Sequence, residues 1–275
     1  MTDSRPLVDL TGKTAIITGS TQGLGADIAR VLARCGAAVT IVGRNADKGN
    51  ELVESLHIQG AKALYSCTDI QQDEDIDACL RKTLETFGRL DILVNNACIY
   101  EDAGLASTRE QWHHTLGVNL ISAAIFTQKA CALMKPGSVV INLGSTGGKF
   151  GAAGRALYPA SKAAMLQFTK NLAVTLAPDG IRAVAVSPAW TWSPSVERLS
   201  QGSRPDADRV GAALHPLGRV GHGSEIGNAV AFLASDAASW ITGVDIPVDG
   251  GFSILGPDQG QPPRLWFERI LKQQN

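Results

Sequence analysis

The chain has 275 residues, of which 44% are hydrophobic and 19% charged, and its formal net charge is −1 at pH 7. A chain this long can bury most of the surface that its unfolded form exposes, so a large globular core is expected. The balanced charge argues against a basic surface that tracks nucleic acid, and no apolar run has the length of a signal peptide or a membrane helix. Five cysteines without a CxxC pair favour reduced thiols, a cytoplasmic location and no metal site.

Short β-branched runs alternate with longer amphipathic stretches along the chain. In chain order, strands are predicted at 14–18, 38–42, 63–66, 92–94, 139–142, 181–187 and 245–248. Helices are predicted at about 24–35, 46–59, 73–87, 110–134, 157–176 and 224–233. This alternation predicts an α/β fold with a parallel sheet between two helical layers. A single domain over 1–255 is expected, with an irregular segment at 188–216 and a tail at 256–275.

A glycine-rich turn follows the first predicted strand. Its sequence, Thr18-Gly-Ser-Thr-Gln-Gly-Leu-Gly25, has the spacing GxxxGxG, not the commoner GxGxxG, and it lacks the GK[ST] ending of a triphosphate loop. In a parallel sheet, ligands bind at the carboxyl ends of the strands, where such a turn lets a pyrophosphate approach the backbone and the next helix N-terminus. The alternative is a turn that is merely tight. The position of the glycine-rich turn directly after the first strand favours a dinucleotide site over this alternative.

The end of the second strand, Gly43-Arg44-Asn45, indicates which dinucleotide binds. A carboxylate at this place would bind the ribose 2′-hydroxyl of NAD, whereas arginine can pair with the 2′-phosphate of NADP. Gly43 has no carboxylate and Arg44 offers a charged planar fork. We therefore expect NADP(H) to be favoured over NAD(H), the alternative being an ordinary exposed arginine.

Tyr158 and Lys162 form a YxxxK pair on one face of a predicted helix. An ammonium beside a phenol favours its phenolate form and lowers its pKa, which makes the phenol useful as a general acid and base. Ser145 comes just after a predicted strand, where its hydroxyl can bond a substrate oxygen as charge develops. A YxxxK pair alone has little meaning, but together with the glycine turn it predicts catalysis.

The sequence resembles the short-chain dehydrogenase/reductase family over residues 12–252. The motifs that carry the resemblance, in chain order, are Thr18–Gly25, Asp69, Asn95-Asn96-Ala97, Asn119, Ser145, Tyr158, Lys162, Pro188 and Asp249-Gly250-Gly251. It implies a Rossmann-like, doubly wound parallel sheet of about seven strands that binds a nicotinamide cofactor. It also implies a homotetramer, or else a dimer, through the helices at 110–134 and 157–176.

The resemblance assigns roles to individual residues. Tyr158 would be the general acid/base, Lys162 its partner and ribose ligand, Ser145 the anchor of the substrate oxygen, and Asn119 the holder of a water in a proton relay. The expected cofactor-binding residues are Gly19, Thr21, Gln22, Gly23, Leu24, Gly25, Arg44, Asn45, Asp69, Ile70, Asn96, Ala97, Tyr158, Lys162, Pro188, Thr191 and Ser193. The small-molecule substrate would be a carbonyl compound or an alcohol.

Two positions depart from the family pattern, since Cys98 and Ala189 stand where a glycine is usual. We expect both to be tolerated if the backbone there avoids positive φ, and Cys98 to be a packed thiol. The segment 188–216 corresponds to the family's variable substrate lid. Arg155 and Tyr100 are candidate pocket residues, and further candidates in the lid are Trp190, Trp192, Arg198, Leu199, Arg204 and Arg209.

Other classes of protein remain open at this point. The chain could be a non-catalytic dinucleotide-binding or redox-sensing protein, a cofactor-free lyase or dehalogenase, or an NAD-preferring dehydrogenase. The four intact residues Asn119, Ser145, Tyr158 and Lys162 argue against the first, and the intact glycine turn argues against the second. The tail at 262–271 is expected to be a short amphipathic helix that docks on a neighbouring subunit, caps the pocket or frays.

Overall fold

A computed structural model describes residues 8–272 of the chain. Seven strands pair in parallel in the order β3-β2-β1-β4-β5-β6-β7, which confirms the predicted fold class. The strands are β1 Thr14–Thr18, β2 Ala38–Gly43, β3 Ala63–Cys67, β4 Ile92–Asn95, β5 Val139–Leu143, β6 Arg182–Pro188 and β7 Asp245–Val248. The reversal of strand order lies between β1 and β4, the place where open sheets of this kind bind ligands.

Ten α-helices accompany the sheet within residues 8–272. They are α1 Gly23–Arg34, α2 Ala46–Ile58, α3 Asp73–Phe87, α4 Arg109–Leu116, α5 Ser122–Cys131, α6 Leu157–Leu176, α7 Pro194–Leu199, α8 Arg204–Ala212, α9 Gly223–Ala234 and α10 Pro263–Lys272. The predicted bounds of α3 and α6 are correct. Those of α1 and α9 are each off by one residue at both ends, and that of α2 by one residue at its C-terminal end.

Two apolar layers cover the two faces of the sheet. Ile17 and neighbours that point the same way pack against α1, α2 and α9. Ile16, one residue earlier, points to the opposite face and packs among residues of α3, α5 and α6. Burial on both faces explains why the strands are continuously apolar instead of alternating.

The helical segment predicted at 110–134 is helical over 109–131, but it is not one regular α-helix. It is divided into α4 and α5 by a π-helical turn at Gly117–Ile121, and α5 ends at Cys131. The apolar pattern runs through the turn without a break, so nothing in the periodicity marks it. Such turns occur often at functional sites, and this one contains Asn119.

The segment 188–216 is also more ordered than predicted, because it contains α7 and α8. Both helices begin with a serine cap, Ser193 for α7 and Ser203 for α8, and both have a proline in the first turn. Proline suits that position because its missing N–H has no intrahelical partner there. The Pro- and Ser-rich composition that suggested irregular structure is in fact a pair of helix starts.

The predicted tail helix is present as α10. Its apolar side chains Leu265, Phe267, Ile270 and Leu271 are all exposed, and none of its residues is buried. Trp266 Nε1 donates to the carbonyl oxygen of Asp258 at 2.8 Å, which ties the helix to the turn before it. Among the helices of residues 8–272, none combines the length and apolar composition needed to span a bilayer.

Candidate active site

The glycine turn after β1 is too tightly packed to hold side chains at two of its glycines. Gly19 has φ +65°, and a Cβ there would lie 2.8 Å from the Cα of Ala97. A Cβ on Gly25 would lie 2.5 Å from both the carbonyl oxygen of Gly19 and Nδ2 of Asn96. Only glycine lets the turn pack this closely just before the N-terminus of α1. A helix N-terminus is the surface that a pyrophosphate needs.

Two polar side chains hold the turn in place: Thr18, the last residue of β1, and Asn96, the first residue after β4. Asn96 Nδ2 donates to the carbonyl oxygens of Thr18 at 2.8 Å and of Gly19 at 3.1 Å. Thr18 Oγ1 accepts from the backbone N–H groups of Asn96 and Ala97. Asn96, predicted as a cofactor ligand, thus uses its side-chain amide to join β4 to the turn. The role of the Thr18 hydroxyl was missed, because its partners lie 78 and 79 residues away.

Arg44 lies at the carboxyl end of β2 with its side chain 72% exposed. Its only ion pair among the described residues is a long one, 3.9 Å to Asp69 Oδ2. Gly43 contacts Thr21, since a Cβ on Gly43 would lie 2.9 Å from Thr21 Cγ2. Asn45 caps α2 by accepting from Lys48 N at 3.0 Å. The structure therefore brings Thr21, Arg44, Asn45 and Asp69 to one corner beside the glycine turn, and the guanidinium there has room for an anion.

The predicted catalytic residues Ser145, Tyr158 and Lys162 lie near one another. Ser145 follows the carboxyl end of β5, and Tyr158 and Lys162 lie in the first two turns of α6. Tyr158 is 8% exposed and Lys162 3%. Lys162 Nζ lies 5.7 Å from the centre of the Tyr158 ring and donates to the carbonyl oxygen of Leu143 at 2.7 Å. A Cβ on Gly147 would lie 3.3 Å from Ser145 Oγ and 3.6 Å from Cε1 of Tyr158, so these two side chains border the same small space.

Asn119, the fourth predicted residue, connects three segments from inside the π-helical turn. Its Oδ1 accepts from Ile99 N at 2.8 Å, and its Nδ2 donates to the carbonyl oxygen of Ile99 at 3.0 Å and to Ser161 Oγ at 3.1 Å. The side chain is 1% exposed. Asn119 therefore fixes the loop after β4 against α6, and its predicted contact with a water stays a prediction.

A carboxylate that the sequence did not single out caps α6. Asp102 accepts from Ala156 N at 2.8 Å and from Tyr158 N at 3.1 Å. Burial raises the pKa of Asp102, but hydrogen bonds from the backbone N–H groups at the start of α6 and at Gly104 together lower it by more. The pKa of Asp102 is therefore lowered overall. Because these partners are 54 and 56 residues away, no local motif reveals the cap. Asp102 anchors the turn of helix on which Tyr158 lies.

Replacing Asp102 by Ala is expected to lower the free energy of unfolding by about 1 kcal/mol at pH 7, as for other lost helix caps. A carboxyl group whose folded-state pKa is depressed stabilises the protein above its unfolded pKa, and this contribution is lost as the pH falls through the folded pKa. The difference between wild type and variant should thus shrink below about pH 4. Urea unfolding at several pH values measures it, with the exposed Glu54 replaced by Ala as the control. A difference that persists at low pH would contradict a carboxylate cap.

Tyr100 and Arg155, the candidate pocket residues, both lie against the ring of Tyr158. The rings of Tyr100 and Tyr158 stack with centroids 4.8 Å apart and planes 28° apart. The Arg155 guanidinium carbon lies 5.4 Å from the centre of the Tyr158 ring. The pKa of Tyr100 is raised, first by the charge of the neighbouring Cys98, then by burial of the hydroxyl and by Tyr158. Tyr100 as a whole residue is exposed.

The lid segment, residues 188–216, lies against the glycine turn. A Cβ on Gly23 would lie 3.1 Å from Pro194 Cδ, so the start of α7 covers that glycine. Thr191 is nearly buried and forms a β-bridge to Gly221, whereas Ser193 caps α7. These contacts place Ser193, next to Pro194, beside the turn, and binding of a cofactor by Thr191 or Ser193 stays a prediction.

Of the polar and aromatic candidates in the lid, only Trp192 and Arg204 contact each other. The Arg204 guanidinium lies 5.4 Å from the Trp192 ring and forms an ion pair with Asp208. Arg209 pairs with Asp206 on an exposed surface and Leu199 is 82% exposed. The exposed side chains of Arg209 and Leu199 fit a solvated loop, so a substrate contact by these two residues stays a prediction.

The backbone accepts Cys98 and Ala189 without strain. Within residues 8–272, the non-glycine residues with positive φ are Gln201 and Gln259 alone. Neither Cys98 nor Ala189 is thus in a conformation that requires glycine.

Comparisons with known proteins identify the family. The model described as Enoyl-(Acyl carrier protein) reductase matches residues 19–253. The 3-oxoacyl-(acyl-carrier-protein) reductase FabG of Escherichia coli strain K12 is 36% identical over 248 residues, covering 89% of this chain and 98% of FabG. The chain belongs to the short-chain dehydrogenase/reductase family.

Other short-chain dehydrogenase/reductase relatives differ in their substrates. The cis-4-hydroxycyclohexanecarboxylate dehydrogenase of Sinomonas cyclohexanicum is 34% identical over 247 residues, covering 88% of this chain and 97% of that protein. The structure of 7α-hydroxysteroid dehydrogenase complexed with NADH and 7-oxo glycochenodeoxycholic acid matches with a TM-score of 0.84 and 29% identity, over 91% of this chain and 98% of that one. The comparisons therefore show that the chain is an oxidoreductase of this family. Because the relatives act on different compounds, they do not identify its substrate.

Proposed function

We propose that the protein is an NADP(H)-dependent oxidoreductase that transfers a hydride between the nicotinamide and a carbonyl compound or secondary alcohol. The observation that carries this proposal is the meeting of Ser145, Tyr158 and the buried Lys162 at the carboxyl edge of the sheet, beside the glycine turn. A phenol, a hydroxyl and an ammonium in one small space are the groups that carbonyl reduction requires for moving a proton and holding an oxygen.

The glycine turn and the corner at Arg44 fit a dinucleotide. Gly19 and Gly25 let the turn fold tightly at the N-terminus of α1, where a pyrophosphate would bind, and the exposed Arg44 can hold a 2′-phosphate. When bound, the nicotinamide supplies or accepts the hydride. The residues proposed to hold the cofactor are Gly19, Thr21, Gln22, Gly23, Leu24, Gly25, Arg44, Asn45, Asp69, Ile70, Asn96, Ala97, Tyr158, Lys162, Pro188, Thr191 and Ser193.

The chain's own residues would handle the proton. In the direction of reduction, the Tyr158 hydroxyl donates its proton to the substrate oxygen, and in oxidation it takes the proton back. The Lys162 ammonium favours the phenolate that this leaves. The Ser145 Oγ accepts from Gly147 N at 3.0 Å, so its own hydrogen can be donated to the substrate oxygen. Asn119, through Ile99 and Ser161, holds α6 and the loop after β4 in register around these groups.

Replacing Arg44 by Ala tests the proposed preference for NADP(H). Loss of a charged fork from the 2′-phosphate is expected to raise the Kd for NADPH by roughly 10- to 100-fold, as for other charge-assisted hydrogen bonds. The Kd for NADH, which has no 2′-phosphate, should change little. Fluorescence titration of the reduced nicotinamides measures both values. The matched control is Arg81→Ala, since Arg81 is an exposed arginine on α3. Equal weakening of the two cofactors, or tighter binding of NADH by the wild type, would favour an NAD-preferring dehydrogenase instead.

A non-catalytic dinucleotide-binding or redox-sensing protein is the alternative from another class. Nicotinamide fluorescence and consumption distinguish the two. Both predict binding of NADPH, but only the oxidoreductase consumes it with a panel of ketones that includes neutral ketones, oxo esters and oxo acids. Binding of NADPH without consumption across the panel would leave the non-catalytic protein as the better account.

We also propose that the protein self-associates in the cytoplasm as a homotetramer or dimer. Ile121 is 56% exposed and Val174 on α6 is 78% exposed, on helices whose other faces cover the sheet. Apolar surface on both sides of these helices is what a second subunit would cover. The proposed domain extends over 1–255, with 256–275 as a separate tail.

A further inference from the structure

Arg155 is a cation that lies beside Tyr158 in the candidate active site. Its side chain is exposed, and its guanidinium carbon lies 5.4 Å from the centre of the Tyr158 ring. Within residues 8–272, no carboxylate forms an ion pair with it. The neighbouring Asp102 uses its oxygens on the backbone N–H groups of Gly104, Ala156 and Tyr158. The positive charge is therefore available to an incoming molecule.

The backbone on both sides of Arg155 is held in place. A Cβ on Gly104 would lie 3.0 Å from the carbonyl carbon of Gly154, so the loops containing these glycines are in close contact. On the other side of Arg155, Ala156 N donates to both oxygens of Asp102 at 2.8 and 3.0 Å. An exposed arginine with an anchored backbone loses less freedom on binding than one in a mobile loop.

A compound whose oxygen meets the Tyr158 hydroxyl places the rest of its structure near Arg155 and Tyr100. Tyr100 is 56% exposed and presents an aromatic surface stacked on Tyr158. The planar guanidinium fork matches the two oxygens of a carboxylate. An aromatic surface and a guanidinium beside one reacting position thus suit a compact oxo or hydroxy acid better than a neutral ketone.

We infer that Arg155 binds a carboxylate of the substrate and selects carbonyl or alcohol compounds that carry one. The inference rests on the proposed function, because it takes Tyr158 as the group that meets the reacting oxygen. Arg155 acts here as a specificity-determining residue and takes no part in proton or hydride transfer. Its loss should therefore weaken the binding of the acid beyond any effect, common to acid and ester, of removing a cation beside the Tyr158 ring.

The test compares 4-oxocyclohexanecarboxylate with its methyl ester, which differ in the charge. For the wild type, kcat/KM with NADPH should be higher for the acid, and Arg155→Gln should lower the ratio of the acid's kcat/KM to the ester's by roughly 10- to 100-fold, mainly through the KM of the acid. Arg81→Gln, the matched exposed arginine, should leave both values unchanged. An equal acid-to-ester ratio in wild type and Arg155→Gln, or a wild-type preference for the ester, would overturn the inference.

Calorimetric titration of the same two compounds into the protein with NADP⁺ separates this inference from the proposed function. If the wild type binds the acid more tightly than the ester and Arg155→Gln does not, the carboxylate site stands even without turnover, and only the proposed function fails. If neither protein distinguishes the acid from the ester in binding, the inference fails, whether or not the compounds are reduced.

Discussion

Replacing Tyr158 by Phe is expected to lower kcat by about 10²- to 10⁴-fold, the range typical for a lost general acid or base. The substitution removes the hydroxyl and keeps the ring, so the stack with Tyr100 and the packing beside Lys162 should remain. Binding of NADPH should be largely intact for the same reason. Steady-state consumption of NADPH with an accepted ketone measures the first effect, and fluorescence titration measures the second.

Tyr100→Phe is the natural comparison for this variant. The Tyr100 hydroxyl lies close to Tyr158 and Cys98, so it is the other phenol that could supply a proton at this site. If Tyr158 is the acid and base, Tyr100→Phe should keep substantial turnover. Retained activity in Tyr158→Phe together with loss of activity in Tyr100→Phe would exchange the two roles.

The second large effect is expected from Gly25→Ala, which should weaken NADPH binding by about 100-fold or more, equivalent to at least about 2.7 kcal/mol. The added Cβ would lie 2.5 Å from the carbonyl oxygen of Gly19 and 2.8 Å from the Cα of Ser20, both of which are backbone atoms. The turn would have to move, and with it the N–H groups that face the pyrophosphate. Fluorescence titration with NADPH measures the change in Kd, and circular dichroism checks that the variant folds.

Gly151→Ala is the matched control, because a Cβ on Gly151 would meet no atom within 4 Å. It makes the same chemical change on a loop that leads to α6. NADPH binding should equal that of the wild type. If Gly25→Ala also bound NADPH normally, the glycine turn would not be the pyrophosphate site.

The sheet could be predicted from the sequence because its strands are buried on both faces. Runs such as Thr14–Thr18 and Val139–Leu143 are mostly apolar or β-branched and are followed by turn residues, so their positions could be predicted. The glycine turn and the Tyr158–Lys162 pair could be found because their spacing is local: one turn of chain and one turn of helix. The structure then brings them to one edge, which the parallel arrangement requires.

What could not be predicted depends on contacts between distant segments. Asp102 caps a helix more than fifty residues later, and nothing in the sequence around Asp102 or Ala156 indicates the pairing. The π-helical turn at Gly117–Ile121 lies inside an unbroken apolar pattern and owes its place to the bonds of Asn119 with Ile99 and Ser161. The helices of the lid segment, in contrast, could have been predicted from local sequence. A serine followed within two residues by a proline, at Ser193 and at Ser203, is a recognisable helix start, but this composition was interpreted as irregular structure.

The transfer of deuterium from NADPH that carries deuterium at both hydrogen positions of the reactive nicotinamide carbon tests the central claim most directly. The wild-type protein is incubated with this cofactor and a ketone from the panel, and the product alcohol is analysed by mass spectrometry. Hydride transfer predicts one deuterium on the carbinol carbon with the wild type and none above background with Tyr158→Phe. An alcohol product without deuterium, or NADPH that binds and is recovered unchanged with every ketone, would contradict the account.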